Sequence, residues 1–218
     1  MSVEIRGFRP ADHAACRDLW IEMVADHGRL YDEPGLGGDD PGAGFEEYLT
    51  RLNLSGMWVA EQADVVVGFA GLLIEDRHGE VRPLVVTESM RDTGVGSRLL
   101  AQVTEEARNR RLRHLALRPA ARNLAGMHCA HEAGFDVLTE VTLVNDLTGR
   151  RWREGLSLHD LPFDYLPVWP VSRRMVSAML GRSGVVAMAA IGSHDGERVV
   201  PSGSSRSVPP VTLTRYTK

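Results

Sequence analysis

Arg91-Asp92-Thr93-Gly94-Val95-Gly96 stands between an apolar run, Leu84-Val85-Val86, and the pair Leu99-Leu100 that opens an amphipathic segment. A strand feeding a glycine-bearing loop and then a helix N-terminus is an anion site. The first-turn N–H groups have no partner within the helix, and the helix dipole favours negative charge there. Glycines at 94 and 96 leave no Cβ between a phosphate and the backbone. The bland alternative is a tight turn before a helix. A nucleotide P-loop is disfavoured, because no Gly-Lys-Ser/Thr follows the glycines.

The elements that must hold this loop come from 218 residues, enough for one sizeable domain and an extension. With 43% hydrophobic and 25% charged residues the composition is that of an ordinary soluble globular protein, and a net charge of −4 argues against a nucleic-acid partner. Cys16 and Cys129 are too few for a disulfide framework and have no zinc-ligand spacing around them, so no metal is expected. Residues 184–191 form an apolar stretch too short for a membrane span. Glu4, Arg6 and Arg9 precede no apolar segment, so a signal peptide is not expected and the expected compartment is the cytoplasm.

Taken in order, Val3–Phe8 reads as a strand, Ala14–Met23 as a helix, residues 33–44 as a loop and Phe45–Leu54 as a second helix. Met57–Glu61 and Val65–Ile74 read as a hairpin, with Gly68 and Gly71 marking a bulge or a close backbone approach. Glu80–Thr87 leads into the loop, and Pro83 predicts a bulge or a missing ladder bond within it. A helix over Gly94–Asn109 ends in Arg108, Arg110 and Arg111, read as a solvated basic end. A strand at Leu112–Leu117, a helix at Asn123–Ala133 closed by Gly134, and two short strands within Phe135–Leu147 follow. After Thr148 the composition changes. Trp152, Phe163, Tyr165, Leu166 and Trp169 lie among prolines, Val171–Leu180 reads as a short helix, Val185–Ile191 and Val199-Val200 as strands, residues 201–210 as a linker, and the final VTLTRY as a strand or a loose end.

This order, with Arg-x-x-Gly-x-Gly at Arg91–Gly96 and with Asn123 followed by Gly134-Phe135, resembles the GNAT family of N-acetyltransferases over roughly residues 3–147. The resemblance implies an α/β (α+β) fold: a mixed, mostly antiparallel sheet with a central splayed strand pair and flanking helices. It divides the chain into a domain at 1–147 and an extension at 148–218. It also implies acetyl-CoA as acyl donor. The pyrophosphate would lie on the loop formed by Arg91, Asp92, Thr93, Gly94, Val95, Gly96 and Ser97, with Arg98 adding charge. Backbone groups of Leu84, Val85 and Val86 would bond the pantetheine arm as if it were a strand. Asn123 would bond the cofactor or a water.

Acetylating an amine requires removing its proton. Glu80 matches, by its distance from the strand end, the carboxylate that acts as general base in histone-acetylating members; Glu75, Asp76 and His78 are nearby substitutes, and a solvent-facing strand residue is the alternative. The family's usual general-acid tyrosine falls at Ala130. His128, Cys129 and His131 on the same helix are the candidates to protonate the leaving thiolate, with His128 named first. The expected function is acetyl transfer to a primary amine of a small molecule or peptide by direct attack in a ternary complex. The alternative is a catalytically silent acyl-CoA-binding or regulatory module. Asp26, His27, Tyr31, Asp32, Glu33, Asp39 and Asp40 suit a cationic acceptor, although a solvated acidic loop explains them too. The extension is expected to cap the acceptor cleft or to join two copies in a homodimer.

Overall fold

From Met57 to Val86 the chain alternates apolar, β-branched runs with short turns, and it folds as the antiparallel meander this pattern dictates. The computed structural model describes residues 2–31, 34–53, 56–143, 145, 147, 153–158, 161–165 and 189–190. In it β2 (Met57–Gln62), β3 (Val65–Glu75) and β4 (His78–Val86) pair in succession, and β1 (Glu4–Gly7) adds to the outer edge of β2. β5 (His114–Ala116) lies parallel to the far edge of β4, but only from His78 to Glu80.

Helices cover both faces. α1 (His13–Leu30) and α2 (Ala43–Arg51) bury Leu19, Trp20, Met23, Phe45 and Tyr48 against Val59, Phe69 and Val85. α3 (Val95–Asn109) and α4 (Leu124–Glu132) bury Val95, Leu99, Leu100, Val103 and Cys129 against Leu72, Val81, Leu84 and Val86. Each large apolar side chain so enclosed contributes about 1.5–3 kcal/mol of transfer free energy. α3 ran as the apolar spacing predicted; α1 continues seven residues past the expected Met23, to Leu30.

Pro83 produces the expected irregularity. Ala70 pairs with Leu84 and Leu72 with Val81, so Arg82 and Pro83 together oppose Gly71. This one-residue insertion keeps Val81 on the α3 side and places Leu84 and Val86 there as well. Gly71 is the close approach that its sequence position hinted at. The Tyr48 hydroxyl donates to Arg82 O at 2.6 Å and fills the place a Cβ at residue 71 would take. The bulge is thus clamped from the α2 side.

Two expectations fail. Among the described residues the strands expected within Phe135–Leu147 do not appear: residues 135–143 are irregular, and Val137, Leu138, Val141, Leu143 and Leu147 are exposed. Their alternation is strand-like, but no described strand offers them a ladder, and an unpaired run has nothing to hold it extended. The extension instead contains a hairpin that the prolines hid, β6 (Arg153–Leu158) with β7 (Leu161–Tyr165), as a separate two-stranded sheet. Pro162 is the second residue of β7, which has β6 as its one described neighbour and so is an edge strand, where proline is tolerated. β8 (Ala189–Ala190) falls inside the strand expected at 185–191. Trp152, Leu166, Trp169, the helix at 171–180, the remaining late strand and linker segments, and the VTLTRY end lie outside the described residues.

Candidate active site

The β4–β5 ladder stops at Glu80 and Ala116, and beyond it the edge of β4 is open to another partner. β8 occupies that edge, pairing parallel with Leu84 and Val85 through Ala189 and Ala190. It packs between α1 and α4, which form the two walls of a lane with the β4 edge as its floor. The segment expected to bond a pantetheine arm therefore does accept an added strand, here supplied by the extension.

At the end of β4, Thr87 to Gly94 carry the chain into α3. Gly94 is the residue before α3, with φ +85°, where a side chain would be strained, and Asp92 shares the left-handed region at φ +60°. Thr93 Oγ1 donates to Met90 O at 2.6 Å and tightens the turn. Asp92, Thr93, Gly94, Ser97 and Arg98 are exposed, whereas Val95 and Gly96 are buried against the sheet. The turn Asp92–Gly94 and the first-turn residue Ser97 thus lie at the surface, while the Arg98 N–H already donates to Gly94 O at 3.1 Å. Arg98 borders a shallow recess between α3 and Ser2–Ile5.

Arg91 turns the other way. Its Nε donates to Val86 O at 3.1 Å, and its Nη2 donates to Glu22 Oε1 at 3.2 Å and to Asp26 on α1. Glu22 also accepts from Thr87 Oγ1 at 3.0 Å and from the Glu88 N–H. One carboxylate of α1 therefore gathers three groups of the loop. Spacing along the sequence carried no sign of this partnership.

At the other end of the open edge sits Glu80, paired in the ladder with Ala116. Arg82 holds its carboxylate in a fork at 2.9 and 3.0 Å, and Arg118, just past β5, donates to it as well. The Glu80 and Arg82 side chains are 16% and 18% exposed, while Arg118 is 40% exposed and can swing away most easily. His128 is exposed on α4, and no described hydrogen bond ties it to Glu80. Cys129 and Ala130 face inward; Cys129 Sγ lies 3.8 Å from Ser97 Oγ, and burial raises its thiol pKa. Asn123 is 7% exposed and caps α4, its Oδ1 accepting from Gly126 N at 2.8 Å.

The acidic residues expected to greet a cation are largely engaged. Asp26 binds Arg91 and Arg29, and Asp40 accepts from Arg17 at 2.6 Å and from Gly42 N at 3.0 Å. His27 is buried, and its loss of solvation pulls its pKa below the ordinary imidazole value, so it is neutral. Asp32 and Glu33 lie outside the described residues. Among the described residues no three His, Cys, Asp or Glu side chains gather as a metal site, and no helix is long and apolar enough to cross a membrane.

The model of the acetyltransferase (GNAT) family matches residues 18–135, more than half of the chain. The chain belongs to that family. It is thereby an acetyltransferase-class enzyme, and the matched stretch includes β4 and the loop before α3. No curated protein matches it closely. Solved structures share the fold. AAC(6')-Iy with the bisubstrate analogue CoA-S-monomethyl-acetylneamine has 21% identity and a TM-score of 0.50 over 67% of this chain and 99% of that one. A GNAT-family acetyltransferase of Staphylococcus aureus Mu50 has 13% identity and a TM-score of 0.51 over 66% and 95%. An acetyltransferase structure from Pyrococcus horikoshii has 17% identity and a TM-score of 0.50 over 63% of this chain, which spans 44% of that one.

Proposed function

We propose that the protein transfers an acetyl group from acetyl-CoA to a primary amine by direct attack in a ternary complex. The observation that carries this reading is the edge of β4 at Leu84–Val85, which β5 leaves free and which accepts an added strand in β8, leading straight into the exposed turn Asp92–Gly94 before α3. Residues 1–147 are taken as the donor-binding unit and 148–218 as an extension that supplies β8.

The residues fit the donor. The backbone of Leu84, Val85 and Val86 offers strand-type partners for pantetheine amides, so β8 and the donor compete for the same groups. The N–H groups from Asp92 to Ser97, with Arg98, suit a pyrophosphate. Arg91 contributes by fixing this loop to α1. The side-chain NH2 of Asn123, whose oxygen is committed to the helix cap, is left to meet the thioester end. When bound, acetyl-CoA supplies an activated carbonyl and a thiolate leaving group.

The chain's part is positioning and proton transfer. Clamping β4 at its bulge fixes the edge against which the donor lies, so the amine meets a carbonyl held in place. Glu80 takes the ammonium proton, directly or through a water, once Arg118 moves off its carboxylate. Ala130 is 5% exposed and supplies no proton, so water or an α4 neighbour protonates the thiolate. That absence favours the second reading, a silent acyl-CoA-binding module. Incubation with acetyl-CoA and an amine panel, following free thiol, separates the two: amine-dependent thiol release is expected for the enzyme, and none with CoA still bound for the module.

A further inference from the structure

Two buried polar groups beside the lane have no partner among the described residues: His27 Nε2 on α1 and Arg122 Nη1 just before α4. Buried polar atoms are nearly always paired, so two orphans at one place call for an explanation. His27 is 4% exposed. Its Nδ1–H donates to Met23 O at 2.9 Å, which leaves the lone pair of the neutral ring on Nε2.

Their location is defined by neighbours. His27 follows Asp26, the carboxylate that holds Arg91. Arg122 precedes Asn123, the cap of α4. Both approach the Tyr31 ring: the His27 ring at 6.5 Å between centroids and the Arg122 guanidinium at 5.8 Å from the centroid. His27 lies on α1 and Arg122 in the turn that leads into α4, and β8 contacts both helices.

We propose that His27 and Arg122 form a two-sided clasp for a ligand group that carries an N–H beside a carbonyl or carboxylate oxygen. The N–H donates to His27 Nε2, and the oxygen accepts from Arg122. A carboxylate alone meets a repelling lone pair at His27, and an ammonium alone meets a repelling guanidinium at Arg122. An amide, or an amine with a neighbouring carboxylate, satisfies both. A pantetheine amide and an amino-acid or peptide acceptor share this chemistry. The inference rests on the donor-site reading above.

The test uses the full chain with His27→Leu and Arg122→Met. Removing an orphaned polar group should leave the Tm unchanged or raise it. CoA binding by calorimetry and KM for alkyl amines, amino acids and dipeptide amides are then measured. The clasp predicts a loss on the order of tenfold in one of the two affinities, with partial recovery in His27→Gln. Weakened CoA binding assigns the clasp to pantetheine; a raised KM for amino acids or dipeptide amides alone assigns it to the acceptor. Wild-type CoA binding with every KM unchanged in both variants overturns the clasp and leaves the donor site standing. A wild-type chain that binds no CoA overturns the donor-site reading and the clasp with it.

Discussion

The guanidinium of Arg91, first residue of the glycine-loop motif, is bonded to Asp26 on α1 and is only 10% exposed. A motif cation that looks like a phosphate ligand is therefore a structural tie between α1 and the loop. Glu22 completes the tie.

Removing one carboxylate leaves a half-buried guanidinium short of a partner. Asp26→Ala or Glu22→Gln should lower stability by about 2 kcal/mol and weaken CoA binding as the loop loosens. Thermal denaturation and calorimetry on the same samples check both. Lost stability with unaltered CoA affinity would show that the loop holds its shape without α1.

Glu80→Gln should cut turnover by about 10²–10⁴-fold at neutral pH, with little change in CoA affinity. The deficit should shrink as pH rises and the free amine becomes abundant. Arg118→Ala, which frees one side of the carboxylate, should leave turnover intact or raise it. An unaltered rate and pH profile in Glu80→Gln would remove Glu80 from the mechanism.

The glycine turn before α3, the bulge at Pro83, the approach at Gly71 and the α3 packing face were all legible in the sequence. Each follows from local chemistry: glycine's freedom, proline's missing N–H, the helical repeat. What stayed hidden depends on partners far along the chain. Arg91 and Glu22 are 69 residues apart, and Glu80 and Arg118 are 38 apart, so no window on either shows the other. The run at 135–143 failed for the converse reason: its alternation satisfied a strand pattern, yet no ladder reaches it.

On the proposed donor reading, a pantetheine arm would claim the edge of β4 that β8 occupies. Replacing Ala189 and Ala190 together with proline removes two backbone donors from the added strand. CoA should then bind more tightly than to the wild-type chain, as read by calorimetry. Equal affinity would mean that β8 does not compete for the lane.

Burial holds the His27 pKa below the ordinary 6.5, so the unfolded chain takes up this proton at a higher pH than the folded one. The stability that neutral His27 preserves is complete above 6.5 and declines as pH falls from there towards its folded value. Asp12, held low mainly by its hydrogen bonds from Arg6, adds stability that is lost only in stronger acid, below its ordinary 3.8. Denaturation midpoints should therefore drop as pH falls below 6.5 in the wild type and drop less in His27→Leu. Parallel curves would place the proton uptake elsewhere.

The most direct measurement is a calorimetric titration of CoA into the full chain and into Gly96→Asp. Gly96 is buried in the first turn of α3, and on the proposed reading a carboxylate there would oppose a pyrophosphate. The wild type should bind CoA with one site per chain, and Gly96→Asp, checked for an intact fold by circular dichroism, should show no binding. Equal affinity in the two proteins would contradict the donor site.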